Sequence, residues 1–221
     1  MGAALCVKEG RAKYMRDGVL FNDNEVDVAL GAALELAAKM EDGELRVLDF
    51  GGAFGDVYWR HKIWLMRFKT VTWDVVEQPA FVSAGRTHFN DIGIKYFYDV
   101  NEAEDVEQHN VLLCSGTLQY MEEPLTEFAK WESLAFKNII LANLPLLSTD
   151  SDIITTQHVP SSIYRASYPV RFFSRASFLA RVTQRYTLQV EFPSEAVWIF
   201  KRKKFESTGL LLRLKSDFDT I

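Results

Sequence analysis

The chain of 221 residues is 48% hydrophobic and 13% aromatic, which is enough for a packed core and excludes a largely disordered protein. A net charge of −5 and a pI of about 5.5 argue against a broad nucleic-acid-binding surface. Cys6 and Cys114 form neither a disulfide framework nor a metal-ligand spacing, and no apolar run approaches the roughly 20 residues of a membrane span. We therefore expect a soluble cytoplasmic protein that needs no metal.

The N-terminal part of the chain is predicted to be a helical extension covering residues 1–45. Apolar residues recur at helical spacing from Val26 to Met40, and Gly43 follows as a stop signal. Asn22 or Asn24 is the expected helix cap. The main domain is then expected to cover residues 46–205, and residues 206–221 a last packing element.

A short apolar run, residues 46–50, predicts a buried strand that ends in a glycine-rich turn, with a helix from Asp56. Such a turn lets backbone N–H groups and a helix N-terminus face a ligand closely. The dinucleotide fingerprint G-x-G-x-x-G would start at Gly51 but fails at Ala53 and Asp56, which argues against a nicotinamide-dependent oxidoreductase.

The turn has instead an acidic residue two positions before its first glycine and another glycine four positions after it. With Asp49, Gly51 and Gly55 in these places, it resembles motif I of class I methyltransferases, which use S-adenosylmethionine. That family usually has a middle glycine where this chain has Ala53, and Gly52 is its neighbour. The resemblance implies cofactor contacts at all five positions; an ordinary strand-to-helix turn is the competing interpretation.

Three further strands are predicted to end in polar residues at the same edge of a sheet. Glu77 is the last residue of the strand 70–77, where a carboxylate in such folds accepts hydrogen bonds from ribose hydroxyls; a solvated carboxylate at a strand end is the competing interpretation. Asp99 follows the strand 94–98 and is a candidate for the adenine ring, although a turn aspartate has the same pattern. Ser115 follows the strand 111–114, and Gly116 permits close approach of a cofactor there.

Residues 144–173, after a fifth strand over 138–143, show neither helical nor alternating apolar spacing and are rich in Ser, Thr, Pro and Tyr. Loops of this length are usually functional or disordered, and the aromatic content favours order. We predict that this insertion forms the acceptor side of the site, with His158 as a general base or as a loop histidine bonded to backbone. The candidate acceptor-binding residues are Tyr120, Tyr164, Tyr168 and Arg175.

The end of the chain is predicted to form an antiparallel hairpin of strands 187–192 and 196–201 around Pro193-Ser194-Glu195. The basic run Lys201-Arg202-Lys203-Lys204 is most simply a solvated strand end. Five strands alternating with helices, then two adjacent strands, predict an α/β fold with a mostly parallel seven-stranded sheet. This is the Rossmann-like architecture of class I methyltransferases, which also end in a hairpin.

Several blocks together are similar to an uncharacterised bacterial family assigned to the class I methyltransferases. They are residues 16–21, 47–52, 75–79, 115–120 and 157–160, and the similarity extends to Gly209-Leu210-Leu211. Met15 departs from the acidic residue expected there. The resemblance implies S-adenosylmethionine as cofactor and a small-molecule or saccharide-linked acceptor, since members are associated with cell-surface saccharide biosynthesis.

Methyl transfer from a sulfonium is an in-line displacement that needs positioning and water exclusion, with a base where the acceptor is a hydroxyl. Since a saccharide-linked acceptor offers hydroxyls, the resemblance implies transfer to oxygen. Nucleobase methylation is disfavoured because Ser115-Gly116-Thr117-Leu118 stands where an Asn/Asp-Pro-Pro-aromatic motif would be, and no nucleic-acid partner is expected. A non-catalytic binding or scaffold protein that retains the fold is the alternative from another class.

Overall fold

The computed structural model describes residues 1–16, 18–23, 25–89, 91–159, 165–200 and 202–216. The strands are β1 (Tyr14–Arg16), β2 (Val19–Phe21), β3 (Glu44–Phe50), β4 (Thr70–Val76), β5 (Tyr96–Phe97), β6 (Val111–Ser115), β7 (Asn138–Leu144), β8 (Leu146–Leu147), β9 (Ile153–His158), β10 (Ser167–Ser174), β11 (Tyr186–Phe200) and β12 (Lys203–Leu214). The helices are α1 (Gly2–Lys8), α2 (Val28–Lys39), α3 (Asp56–Leu65), α4 (Pro79–His88), α5 (Val100–Val106), α6 (Pro124–Ser133) and α7 (Arg175–Val182), with a 3₁₀ helix at Leu118–Tyr120.

A seven-stranded sheet in the order β11-β12-β7-β6-β3-β4-β5 organises the protein. The five strands from β7 to β5 are parallel, whereas β12 is antiparallel to both β7 and β11. The sheet is therefore mixed, and the predicted α/β architecture is confirmed. Because parallel strands end at one edge, the carboxyl ends of β3, β4 and β6 lie side by side.

Two apolar layers cover the sheet and explain the continuous apolar runs in its strands, since a parallel sheet is buried on both faces. On one face, residues of α2, α3 and α4 such as Leu34, Trp59 and Val82 pack together with Val47 of β3. On the other face, residues of α5, α6 and α7 pack against Leu48 and Leu112.

The C-terminal hairpin differs from the prediction, which placed its turn at residues 193–195. The two segments predicted as partners are one continuous strand, β11, and its partner is β12, which contains the residues 206–214 assigned to a separate packing element. Pro193 is tolerated inside β11 because this strand is at the sheet edge, and a register shift follows between Ser194 and Val197. Gly209 makes room for Phe192, since a Cβ there would lie 2.1 Å from its ring.

The described residues between β7 and α7 form a second sheet instead of the irregular segment that was predicted. Its strands are ordered β8-β10-β9, with β9 antiparallel and β8 parallel to β10. We call it the small sheet. Burial on β9 alternates at every residue, so polar and β-branched side chains carry the strand period that apolar residues usually show.

The N-terminal extension contains more than helices: α1 leads into the β1–β2 hairpin before α2. α2 begins at Val28, capped by Asp27, whose Oδ1 accepts the N–H of Leu30 at 2.9 Å. The predicted cap Asn22 lies upstream, and Asn24 is outside the described residues. Within the described residues, no helix combines the length and apolar character needed to cross a bilayer.

His109, which precedes β6, is buried between two carboxylates. Its Nε2 lies 3.2 Å from Asp74 Oδ2 and its Nδ1 lies 2.6 Å from Glu104 Oε1. Burial alone would lower the pKa of His109, but the hydrogen bonds and charges of Asp74 and Glu104 outweigh it and raise the pKa. The two carboxylates thus favour the protonated form of His109.

A raised folded-state pKa makes the cluster stabilising at low pH. The contribution is fully present below the ordinary value of 6.5 and is lost as pH rises through the folded pKa. His109→Asn should therefore cost most stability below pH 6.5, on the scale of about 3–5 kcal/mol for a broken buried pair, and less at alkaline pH. Urea unfolding of both proteins across this range measures the difference; a cost independent of pH would contradict the assignment.

Candidate functional site

A glycine loop at residues 51–55 joins β3 to α3 at the open edge of the sheet. Gly51 and Gly55 have φ values of 74° and 86°, and Ala53 has a φ of 51°, which a residue with a side chain adopts at a cost. The N–H of Gly51 donates to Val76 O at 2.9 Å, so the loop is fixed to the end of β4. Gly55 is the residue before the first turn of α3, whose N-terminus therefore opens at this loop.

The first two glycines are required by close packing. A Cβ on Gly51 would lie 2.3 Å from Thr117 Oγ1, in the turn after β6. A Cβ on Gly52 would lie 2.5 Å from the Asp49 carboxylate. The loop is thus in contact with the ends of β3 and β6, and no larger residue fits without moving one of them.

Asp49 is buried beneath this loop. Trp73 Nε1 donates to its Oδ2 at 3.2 Å. Burial raises the pKa of Asp49 to about 7, and the nearby Glu77 charge adds to the shift while the Trp73 hydrogen bond opposes it. A buried carboxylate with a pKa this far from the ordinary value is typical of functional sites.

Glu77 follows β4 and is half-buried. Its backbone N–H donates to Phe97 O at 3.1 Å, and its Oε2 accepts the N–H of Gln78 at 2.6 Å. The carboxylate is thereby held at the carboxyl edge beside the glycine loop. The structure thus brings together Asp49, the loop and Glu77.

The two remaining cofactor candidates already have protein partners. Asp99 caps α5, with Oδ1 accepting the N–H of Glu102 at 2.9 Å, as a turn aspartate would. Ser115 Oγ accepts from Asn143 Nδ2 at 3.1 Å. Both residues lie at the predicted strand ends, and their contacts with a cofactor stay predictions.

Asn143 is a residue whose role the sequence interpretation missed. It has a φ of 58°, its N–H donates to Ser194 Oγ at 3.0 Å, and its Oδ1 accepts the N–H of Ala196 at 2.9 Å. Together with the bond to Ser115, these contacts fasten β11 to the ends of β6 and β7. The sequence signal for this role is an asparagine near the end of a strand, because asparagine adopts a positive φ more readily than most residues that have a side chain.

Two of the predicted acceptor residues meet. The hydroxyl of Tyr120 donates to Gln157 Oε1 at 2.8 Å, and the Tyr120 and Tyr168 rings make an edge contact at 5.3 Å. The small sheet is thereby attached to the turn after β6, which also contacts Gly51. Tyr164 lies outside the described residues.

His158 and Arg175 are not brought to this pair by the contacts of the described residues. His158 is exposed and follows Gln157, so the strand period places it on the other face of β9. It lines a shallow hollow of about 380 Å³ with Arg165 and Ser167. Arg175 makes a two-pronged ion pair with Glu191 of β11, at 2.6 Å for each contact. Their predicted roles at the acceptor side stay predictions.

Within the described residues, no group of three or more His, Cys, Asp or Glu side chains is arranged to bind a metal ion.

The chain is similar in structure to several solved proteins, methyltransferases among them. The N-terminal domain of EvdMO1, crystallised with S-adenosylhomocysteine and D-fucose, is 14% identical, with a TM-score of 0.54 and coverage of 96% of this chain and 95% of that one. Magnesium protoporphyrin IX methyltransferase from Synechocystis, with bound S-adenosylhomocysteine, is 12% identical with the same TM-score and coverage. The 1,6-didemethyltoxoflavin-N1-methyltransferase from Burkholderia thailandensis is 13% identical, with a TM-score of 0.52 and coverage of 84% and 77%.

No protein-family description and no curated protein sequence matches the chain. At these identities the structural similarities establish the fold, which is the Rossmann-like fold of class I methyltransferases with a mixed seven-stranded sheet.

Proposed function

We propose that this protein is an S-adenosylmethionine-dependent methyltransferase acting on a small molecule. The observation that carries the proposal is the meeting of buried Asp49, the tight glycine loop and Glu77 at the carboxyl edge of β3 and β4. The methyltransferase fold supports it, and so does the crystallisation of structural neighbours with S-adenosylhomocysteine.

The residues at this edge suit the parts of the cofactor. Backbone N–H groups of the loop and the N-terminus of α3 suit its carboxylate. Glu77 suits the ribose hydroxyls, and Asp99 lies at the next strand end for the adenine. The negative charge of Asp49 favours a ligand that carries the positive sulfonium.

The bound cofactor would supply an electrophilic methyl group, and the chain's task is to position an acceptor in line and exclude water. The small sheet contacts the turn after β6, next to the loop, where its Tyr168 meets Tyr120 of the 3₁₀ helix. Two phenol groups and an amide offer hydrogen-bonding groups beside aromatic rings for a hydroxylated acceptor.

An oxygen acceptor on a saccharide or similar molecule is therefore the specific form of the proposal. The D-fucose in one neighbour's crystal agrees with it, whereas another neighbour is an N-methyltransferase. Formation of S-adenosylhomocysteine in the presence of hydroxylated and amino acceptors separates the two. Cofactor binding with no turnover on either class would favour the non-catalytic alternative.

Glu77→Ala should weaken cofactor binding by one to two decades, because a lost charged acceptor costs about 1.5–3 kcal/mol. Glu77→Gln keeps the shape and half of the acceptor capacity, so its loss should be smaller. Titration calorimetry measures both, with Glu35→Ala on α2 as the control. Equal and negligible effects of the two Glu77 variants would mean that this side chain only faces solvent.

A further inference from the structure

The β11–β12 hairpin projects beyond the sheet on the side of the site. β12 pairs with β7 only from Thr208, opposite Leu144, to Arg213. Leu144 is the last residue of β7, so residues 203–207 and their partners in β11 extend past the carboxyl edge. We call this outer part the hairpin tip.

The two faces of the hairpin tip differ because side chains alternate along a strand. One face carries Trp198, Phe200 and Phe205, whose rings surround Phe172 of the small sheet at 5.4, 5.0 and 5.4 Å. The other face presents Val197 and Ile199, which are 49% and 78% exposed. The inner face anchors the tip, and the outer face is aliphatic and accessible.

The β1–β2 hairpin extends this surface. Glu195, at the base of the tip, is bound by two nitrogens of Arg60 at 2.5 and 2.7 Å, and Arg16 of β1 lies 3.4 Å from it. Val19 and Leu20 of β2 are 45% and 42% exposed, and as consecutive strand residues they lie on opposite faces of β2. One of the two therefore adds to the aliphatic face of the hairpin tip.

The end of the hairpin tip is basic in a protein whose net charge is −5. Arg202, Lys203 and Lys204 are exposed there. Lys204 lies opposite Ile199, on the aliphatic face, and Lys203 lies opposite Phe200, on the other face. Glu195 is neutralised by its arginines, which leaves Glu206 as the acidic residue opposite Val197.

We propose that this surface docks on a membrane that contains anionic lipids. Exposed aliphatic groups beside clustered lysines and arginines match the acyl boundary and the charged headgroups together. Nucleic acid would use the basic residues but leave Val197 and Ile199 without a partner. Docking would place the carboxyl edge, and the acceptor side beneath the small sheet, close to the lipid headgroups.

The test is co-sedimentation of the full chain with vesicles of phosphatidylcholine alone and of phosphatidylcholine mixed with phosphatidylserine. We expect binding to the anionic vesicles only, weakened by salt. Lys203→Gln/Lys204→Gln should weaken it about 25-fold, since each basic residue near a membrane contributes about a fivefold factor. Ile199→Ser should weaken it several-fold at any salt concentration.

The matched control is Lys39→Gln/Lys69→Gln, whose lysines are also exposed, at 70% and 69%, but lie at the opposite edge of the sheet. This control should bind vesicles like wild type. Equal loss in both double variants, equal binding to neutral vesicles, or no binding at all would overturn the proposal. Two further results would also overturn it. One is displacement of the protein from vesicles by single-stranded RNA together with no effect of Ile199→Ser, and the other is burial of this surface in a dimer. Cofactor titration of each variant separates this proposal from the proposed enzymatic function, because vesicle docking and cofactor binding should vary independently.

Discussion

Gly51→Ala is expected to weaken S-adenosylmethionine binding by at least about 100-fold. A residue with a Cβ is strained by about 1–2 kcal/mol at a φ of 74°. If the loop relaxes to relieve this strain, the affinity for the cofactor falls by about tenfold from this cause alone. The added Cβ would also lie 2.3 Å from Thr117 Oγ1, so either the loop or the turn after β6 must move. Both of them border the proposed cofactor site. Titration calorimetry, with circular dichroism to establish folding, measures the effect.

Gly10→Ala is the matched control, because Gly10 has a φ of 73° and nothing within 4 Å of its added Cβ. It isolates the backbone cost from the contact with Thr117. Adding Thr117→Ala to Gly51→Ala removes the two closest atoms and should restore part of the affinity. A folded Gly51→Ala protein with wild-type affinity would sink the assignment of the loop.

Asp49→Asn is expected to stabilise the protein above neutral pH while weakening the binding of the sulfonium cofactor. Burial raises the pKa of Asp49 from 3.8 to about 7, so the folded protein holds a proton that the unfolded chain releases. The free energy of unfolding therefore falls as pH rises from about 4 to 7. The fall is roughly 4 kcal/mol, because each unit of pKa shift corresponds to about 1.4 kcal/mol. The neutral amide keeps the shape and an acceptor for Trp73 without the buried charge.

The same charge should favour a cationic ligand. Wild-type affinity for S-adenosylmethionine should rise with pH up to about 7, by at most about tenfold per pH unit, and then level off. The affinity of Asp49→Asn for S-adenosylmethionine should not depend on pH. The affinity of the wild type for S-adenosylhomocysteine, whose sulfur is neutral, should depend on pH less than its affinity for S-adenosylmethionine does. Urea unfolding at pH 5 and 8 and calorimetry across that range measure both effects. An Asp49→Asn protein no more stable than wild type at pH 8 would contradict the raised pKa.

The cofactor edge was predictable because its signals are local. A buried strand followed by glycines is visible within nine residues, and an acidic residue after the next strand needs only the period of a βαβ unit. The positions of Asp49, Gly51 and Glu77 follow directly from these patterns.

The acceptor side was less predictable because it depends on contacts between distant residues. The small sheet pairs β8 with β10 across more than twenty residues, and its polar strands lack an apolar period. Pro193 has the local signal of a turn but lies inside a strand at the sheet edge. Strand register decides on which face of β9 His158 lies, and packing brings Arg175 to Glu191. Neither register nor packing can be deduced from residue spacing along the chain.

Titration calorimetry with S-adenosylmethionine, S-adenosylhomocysteine and NAD in parallel tests the central claim most directly. The geometry of the Asp49–glycine loop–Glu77 edge predicts saturable one-to-one binding of the first two compounds and none of NAD. Binding of NAD without either sulfur compound, or no binding of any of the three by folded protein, would contradict it.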